Sequence, residues 1–443
     1  MNVANQQEKS HDAWCAIIRK APIFALPVTL ALLVSGSLWF QAVHYYFDIK
    51  HPTWIIWIVL TVVVLWRLVR IGVRRPALHA LDITVLMFIV TIVISLYFRG
   101  LGDSQQAAIY VSAFIGLSYL AGRLMSEFEI KLFLCAMFIV VALSLPLLAV
   151  ELALLPKASL LDDRIKDLFG AYYINNSVGL TLGGMVSLLI AWFVRPSGVA
   201  RRDYEGFGLP ILAVTLWLLV FVAARGGLIA ALIAGGAALL CCKRVSVRRR
   251  SGILLFVITV ISVSWLTLPS QRALFMKEVL TVSEVRKASL NSPQMRILLY
   301  MDALHLFRGA PIWGVGAGNF GHYAPNVGNS SFFSPHSSLL QAFSELGTIG
   351  GSLFSAIAVL TIIGLIRIAR SYNNQVRFCT MAWLALVLWI FIFLYDQISG
   401  NYFTSYQFFA ITGFAGAALA TSRAGRAGGN DHLGLVGGQT KRG

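Results

Sequence analysis

The chain has 443 residues, of which 58% are hydrophobic and only 12% charged, and its formal net charge is +17. A soluble domain carries about 25% charged residues, so one large soluble globule is excluded. The excess of cations points to nucleic acid only if no membrane geometry accounts for it, and here one does.

In chain order, apolar stretches suited to membrane spans fall at roughly 23–42, 53–69, 82–98, 107–122, 131–150, 171–194, 208–224, 228–242, 252–268, 350–366, 378–395 and 403–422. They predict an all-α integral membrane protein of about twelve transmembrane helices with one large, mostly helical external loop. The implied division is a cytoplasmic N-terminal tail (1–22), helices one to nine (23–268), the large loop (269–349), helices ten to twelve (350–422) and a glycine-rich, disordered cytoplasmic tail (423–443). The first apolar segment follows Arg19 and Lys20 but lacks a small-residue cleavage site, and is read as a retained anchor. Only Arg225-Gly226-Gly227 separates the seventh and eighth stretches, which form two spans or a re-entrant hairpin.

With both termini inside, the clusters Lys9, Arg19 and Lys20, Arg67, Arg70, Arg74 and Arg75, and Lys243, Arg244, Arg248, Arg249 and Arg250 share the cytoplasmic side. That is the positive-inside bias of a membrane protein, and no nucleic-acid partner is predicted. The five cysteines lack metal-ligand spacing, and no acid lies between His322 and His336. Neither a metal nor any other cofactor is predicted.

The polar mass lies in the external loops. Leu160–Phe169 reads as a short amphipathic helix on the outer surface. In the large loop, 273–290 is charged and helix-permissive, and Asn291-Ser292-Pro293 forms a turn. Gln294–Arg308 is too apolar to stand alone in water and too short and charged to span, so it rests on the membrane surface or the bundle. Arg296, Tyr300, Ala303 and Phe307 share one face of that helix. Gly309-Ala310-Pro311 ends it.

Gly314, Gly316 and Gly318 follow no strand, which argues against a nucleotide loop and for tight turns. A further helix is predicted from Ser337 or Ser338 to Gly347, leaving His336 at its N-terminus. Free N–H groups there favour anions and keep a neighbouring imidazole neutral, the form that accepts a proton. A loop histidine that only hydrogen-bonds its own turn fits the same pattern, and both readings stay open.

The run from Arg296 through Pro311, Gly314, Gly316 and His336 to Glu345 and Gly347, with the earlier Ala224-Arg225-Gly226-Gly227, resembles the signature of the O-antigen ligase and polymerase superfamily, most of all its ligase branch. Ser337 stands where that family has an asparagine, and Ala224 where it has a serine. The resemblance implies a fold similar to the C-type glycosyltransferases. It further implies metal-independent, inverting transfer of an undecaprenyl-diphosphate-linked glycan to lipid A–core, among membrane lipids, on the periplasmic face of the bacterial inner membrane.

On that reading His336 is the general base, and Arg225 and Arg296 hold the donor diphosphate. An interfacial arginine that snorkels to water is the alternative for Arg225, and a solvated helix face for Arg296. Arg308 and His305 are weaker candidates for substrate contact, and Glu345 for orienting the histidine. Asn175, Asn176 and Tyr172 either bind sugar or anchor their helix at the interface. Rival functions are an O-antigen or exopolysaccharide polymerase, protein glycosylation, and a lipid-linked oligosaccharide transporter.

Overall fold

In hydrocarbon each backbone polar group needs a partner within its own segment or a closed barrel, and this composition answers with helices. The protein is described by a computed structural model over residues 24–35, 39–40, 52–71, 79–98, 104–154, 174–194, 202–222, 224–241, 245–268, 293–326, 334–370, 376–400, 402, 405–417 and 419. Among these residues all regular structure is helical. The helices are α1 (Phe24–Ser35), α2 (Pro52–Ile71), α3 (Ala80–Phe98), α4 (Ser104–Arg123), α5 (Glu127–Leu154), α6 (Ile174–Phe193) and α7 (Arg202–Phe221). Then come α8 (Arg225–Cys241), α9 (Val247–Thr267), α10 (Pro293–Gly309), the short α11 (Phe320–Tyr323), α12 (Ser338–Arg370), α13 (Val376–Ser399) and α14 (406–417).

The expectation of about twelve spans is corrected. Among the described residues five helices are long and apolar enough to cross a membrane: Ala80–Phe98, Phe128–Leu148, Val247–Thr267, Ser338–Ala369 and Ala382–Ser399. Phe24–Ser35, Thr53–Val69, Val178–Phe193, Gly208–Phe221 and Arg225–Cys241 are apolar but shorter, at 10–17 residues. At ~1.5 Å of rise per residue, 17 residues reach about 26 Å, less than a ~30 Å hydrocarbon layer. Hydropathy marks apolar composition and not helix length: α8, for one, is 17 residues long. The result is an all-α, multi-pass membrane bundle.

Helix α8 packs closely on α6: a Cβ at Gly227 would strike the backbone of Gly179, and one at Gly235 the side chain of Ile190. The two helices therefore run in the same direction. Helix α13 runs against both, with Phe391 beside Gly183 and Tyr395 beside Gly179. An aromatic core joins α3, α12, α13 and α14 through Phe88, Phe354, Trp389, Phe408 and Phe409. The N-termini of α6, α8 and α12 thus meet the C-terminus of α13 at one end of the bundle.

At the opposite end buried acids occupy helix starts. Ser126 and Glu129 form a capping box, the Ser126 N–H donating to Glu129 Oε2 at 2.8 Å and the Glu129 N–H to Ser126 Oγ at 3.4 Å. Arg67 pairs with Glu129. Asp82 caps α3 through the His79 N–H (2.8 Å) and accepts from Tyr119 Oη (2.6 Å) and Arg123 Nε (3.0 Å).

Candidate functional site

Pro293 opens α10, where a missing N–H costs nothing. Leu299, Ala303 and Leu306 are buried with Phe320 and Ala324 in a small core of their own. Phe307 meets Phe343 of α12 edge-on, with ring centroids 5.5 Å apart. The loop helix therefore lies against the bundle, its Arg296–Tyr300–Ala303–Phe307 face turned inward. Ile297, Met301 and Leu304 are exposed on the other face, with His305 and Arg308. That exposure puts His305 and Arg308 on the face turned away from α12.

After α10 the chain makes a glycine loop. Gly314, Gly316 and Gly318 all have positive φ (68°, 105° and 75°), which explains the residue type at each. Val315 N–H donates to the Ser344 carbonyl (3.0 Å), and Gly316 N–H to the Glu345 carbonyl (2.9 Å). The Glu345 carboxylate accepts from the N–H groups of Gly318 (2.9 Å) and Phe320 (3.2 Å), from Gln341 Nε2 (3.1 Å) and from Tyr402 Oη (2.7 Å). Glu345 was expected to orient His336. Its four partners instead lie in the glycine loop, at the start of α11, on α12 and at Tyr402.

His336 stands two residues before α12, half-buried, and is the one non-glycine residue with positive φ (55°) among the described residues. Ser337 is the helix cap, its Oγ accepting the Leu340 N–H at 3.3 Å. The same hydroxyl donates to Gln397 Oε1 at 2.9 Å, and Leu339 N–H donates to that oxygen at 3.1 Å. Two N–H groups at this helix start are therefore occupied, where the sequence suggested free donors for an anion. Burial, and then the positive charge of Arg296, lower the His336 pKa from 6.5 to about 4, so the imidazole is neutral at pH 7.

Arg296 lies in the first turn of α10, and its buried Nε has no hydrogen-bond partner among the described residues. One turn on, Tyr300 Oη donates to the Gln397 carbonyl at 3.2 Å. Arg225 opens α8, and a Cβ on the next residue, Gly226, would lie 3.1 Å from Ser399 Oγ. The last turn of α13, around Gln397 and Ser399, is thus the common neighbour of the segments carrying Arg225, Arg296 and His336. Asn175 and Asn176 fall in the first turn of α6. Tyr172, like Leu160–Phe169, 273–290 and both tails, lies outside the described residues.

Sequence reasoning missed Gln397, Gln341 and Tyr402, which bind the site together. The signal for Gln397 was present: Asp396-Gln397 is a polar pair closing an otherwise apolar run. Among the described residues no group of three His, Cys, Asp or Glu is placed to hold a metal ion.

Fold and site together define a multi-pass helical membrane protein whose loop helix and glycine loop cover one end of the bundle. Residues 210–355 match the family described as O-Antigen ligase (Wzy_C). The match spans about a third of the chain, includes Arg225, Arg296, His336 and Glu345, and supports placement in the O-antigen ligase and polymerase superfamily. No curated protein matches the chain.

Proposed function

We propose that the protein is a lipid-diphosphate-dependent glycan ligase, transferring an undecaprenyl-diphosphate-linked polysaccharide to lipid A–core during lipopolysaccharide assembly. The observation that carries this reading is a neutral His336 beside the cationic Arg296, within the family-matched stretch. As the acceptor oxygen attacks the anomeric carbon, His336 takes its proton. The bond from that carbon to the diphosphate oxygen breaks, with inversion, and the diphosphate leaves on its lipid. Arg225 and Arg296 meet the developing negative charge, the contribution expected to be largest without a metal. Donor binding also strengthens the base, because a diphosphate on Arg296 offsets the charge that holds His336 acidic.

The site end faces the periplasm of the bacterial inner membrane, with both termini cytoplasmic. Arg248, Arg249 and Arg250 begin α9 at the opposite end, where positive charge favours the cytoplasm.

Purified protein given the lipid-linked glycan and lipid A–core is expected to release carrier diphosphate and form ligated product. His336→Ala, folded, should lose this; full activity in that variant would remove His336 from the mechanism. Chain extension with donor alone would make the protein a polymerase. Transbilayer movement of donor without bond formation would make it a transporter.

A further inference from the structure

A half-buried histidine at φ 55° holds a backbone conformation that side-chain-bearing residues rarely adopt, so its surroundings must impose it. The imposing contacts converge on one side chain. Gln397 Oε1 accepts both Ser337 Oγ–H (2.9 Å) and Leu339 N–H (3.1 Å), the residues one and three places after His336. Its Nε2 donates to the Phe393 carbonyl at 3.2 Å, which fixes the amide's orientation, since the reverse would set N–H groups against an N–H. Its own backbone carbonyl accepts Tyr300 Oη at 3.2 Å, one turn from Arg296. One residue at the end of α13 therefore holds both the turn that presents His336 and the helix that presents Arg296.

We infer that Gln397 is the positioning residue for the His336 base, acting together with Ser337. The inference rests on the glycan-transfer reading above. It also gives a physical meaning to Ser337, where the resembling family carries an asparagine. Here the hydroxyl closes the helix cap and donates to the Gln397 amide on a different helix. Since Gln397 touches the base's neighbours and not the substrate, its loss should lower turnover and leave donor binding nearly intact.

The test compares initial rates of transfer from the lipid-linked glycan for five variants in detergent, each normalised to folded protein by thermal unfolding. Gln397→Leu is expected to lower kcat by at least about tenfold, with the donor KM within about twofold. Gln397→Glu keeps an oxygen for both donors but turns its second oxygen on the Phe393 carbonyl, so its kcat should lie between those of the leucine variant and the wild type. Ser337→Ala should lower kcat, and the Ser337→Ala/Gln397→Leu double variant should fall by less than the product of the two single effects, because the two changes share the Ser337–Gln397 bond. A wild-type kcat in Gln397→Leu, or a Gln397→Glu as slow as the leucine variant, overturns the inference. So does full additivity of the two single changes. His336→Gln separates the two levels: if it retains full transfer, the base assignment fails; if it is inactive while Gln397→Leu is unimpaired, only the role of Gln397 fails.

Discussion

Gly314 and Gly347 interlock. Each has a left-handed backbone (φ 68° and 66°), and a Cβ on Gly314 would overlap the Glu345 carbonyl, while one on Gly347 would overlap that of Ile312. The loop after α10 and the kink inside α12 are thus packed backbone on backbone, and Thr348 N–H reaches the Pro311 carbonyl at 2.7 Å across the same crossing. This contact sets the height of the glycine loop over the bundle. Gly347→Ala must bear about 1–2 kcal/mol for its dihedrals and a steric overlap besides. Thermal unfolding in detergent should show a midpoint several degrees lower. Gly236→Ala is the control: a Cβ there meets open space within α8, and its gain of up to about 1 kcal/mol should hold or raise the midpoint.

Glu345 is buried, and every polar contact it makes is as an acceptor. In Glu345→Gln one of the two oxygens becomes an NH₂ group facing donors, whichever way the amide turns. The expected cost is about 1–3 kcal/mol. Tyr402→Phe, which removes one of the four donors, should cost less. Denaturation midpoints of the two variants check this order; a tolerant Glu345→Gln would mean the glycine loop is held by its backbone bonds alone.

Much of the site was legible from the chain, because its chemistry is local. The face of α10, the helix break after Gly309, the serine cap before α12 and the glycine kink at Gly347 each have a residue-type signature that reads over a few positions. What was not legible depends on contacts distant in sequence. Gln397 lies 60 residues from Ser337, and Tyr402 57 from Glu345. No periodicity reveals such a pairing, so the sequence leaves Glu345 as a candidate for orienting His336 or capping the arginine clamp. The number of spans failed for a related reason. Hydropathy marks apolar composition, while helix length is set by where the hydrogen-bonded ladder begins and ends, as at Arg225 and Cys241 of α8.

Protonation of His336 offers a direct measurement. Burial and the Arg296 charge both disfavour the imidazolium, so the proton-accepting form persists down to about pH 4. The acid limb of kcat/KM, which reports the free enzyme, should therefore inflect near pH 4, well below that of an ordinary histidine. Arg296→Gln removes the like charge, so the inflection should move to higher pH, though burial still keeps it below about 6.5. The same variant should raise the donor KM through loss of a charged contact worth about 1.5–3 kcal/mol. An inflection that does not respond to Arg296→Gln would mean that another group titrates.

The far end of the bundle supplies the complementary case, a variant that harms the fold and spares the chemistry. Asp82 is 11% exposed and Arg123 8%, and the carboxylate also caps α3 and accepts the Tyr119 hydroxyl. Asp82→Ala deprives a buried guanidinium of this carboxylate, and losing one partner of a buried pair costs about 3–5 kcal/mol. Its place at the start of α3, opposite the end where Ser95 Oγ accepts the Ala317 N–H at 3.0 Å, separates it from His336 by most of the helix length. Unfolding should come at a markedly lower temperature, while kcat and donor KM per folded molecule stay within about twofold of wild type. A large fall in kcat with an unchanged melting point would tie the basic end to catalysis.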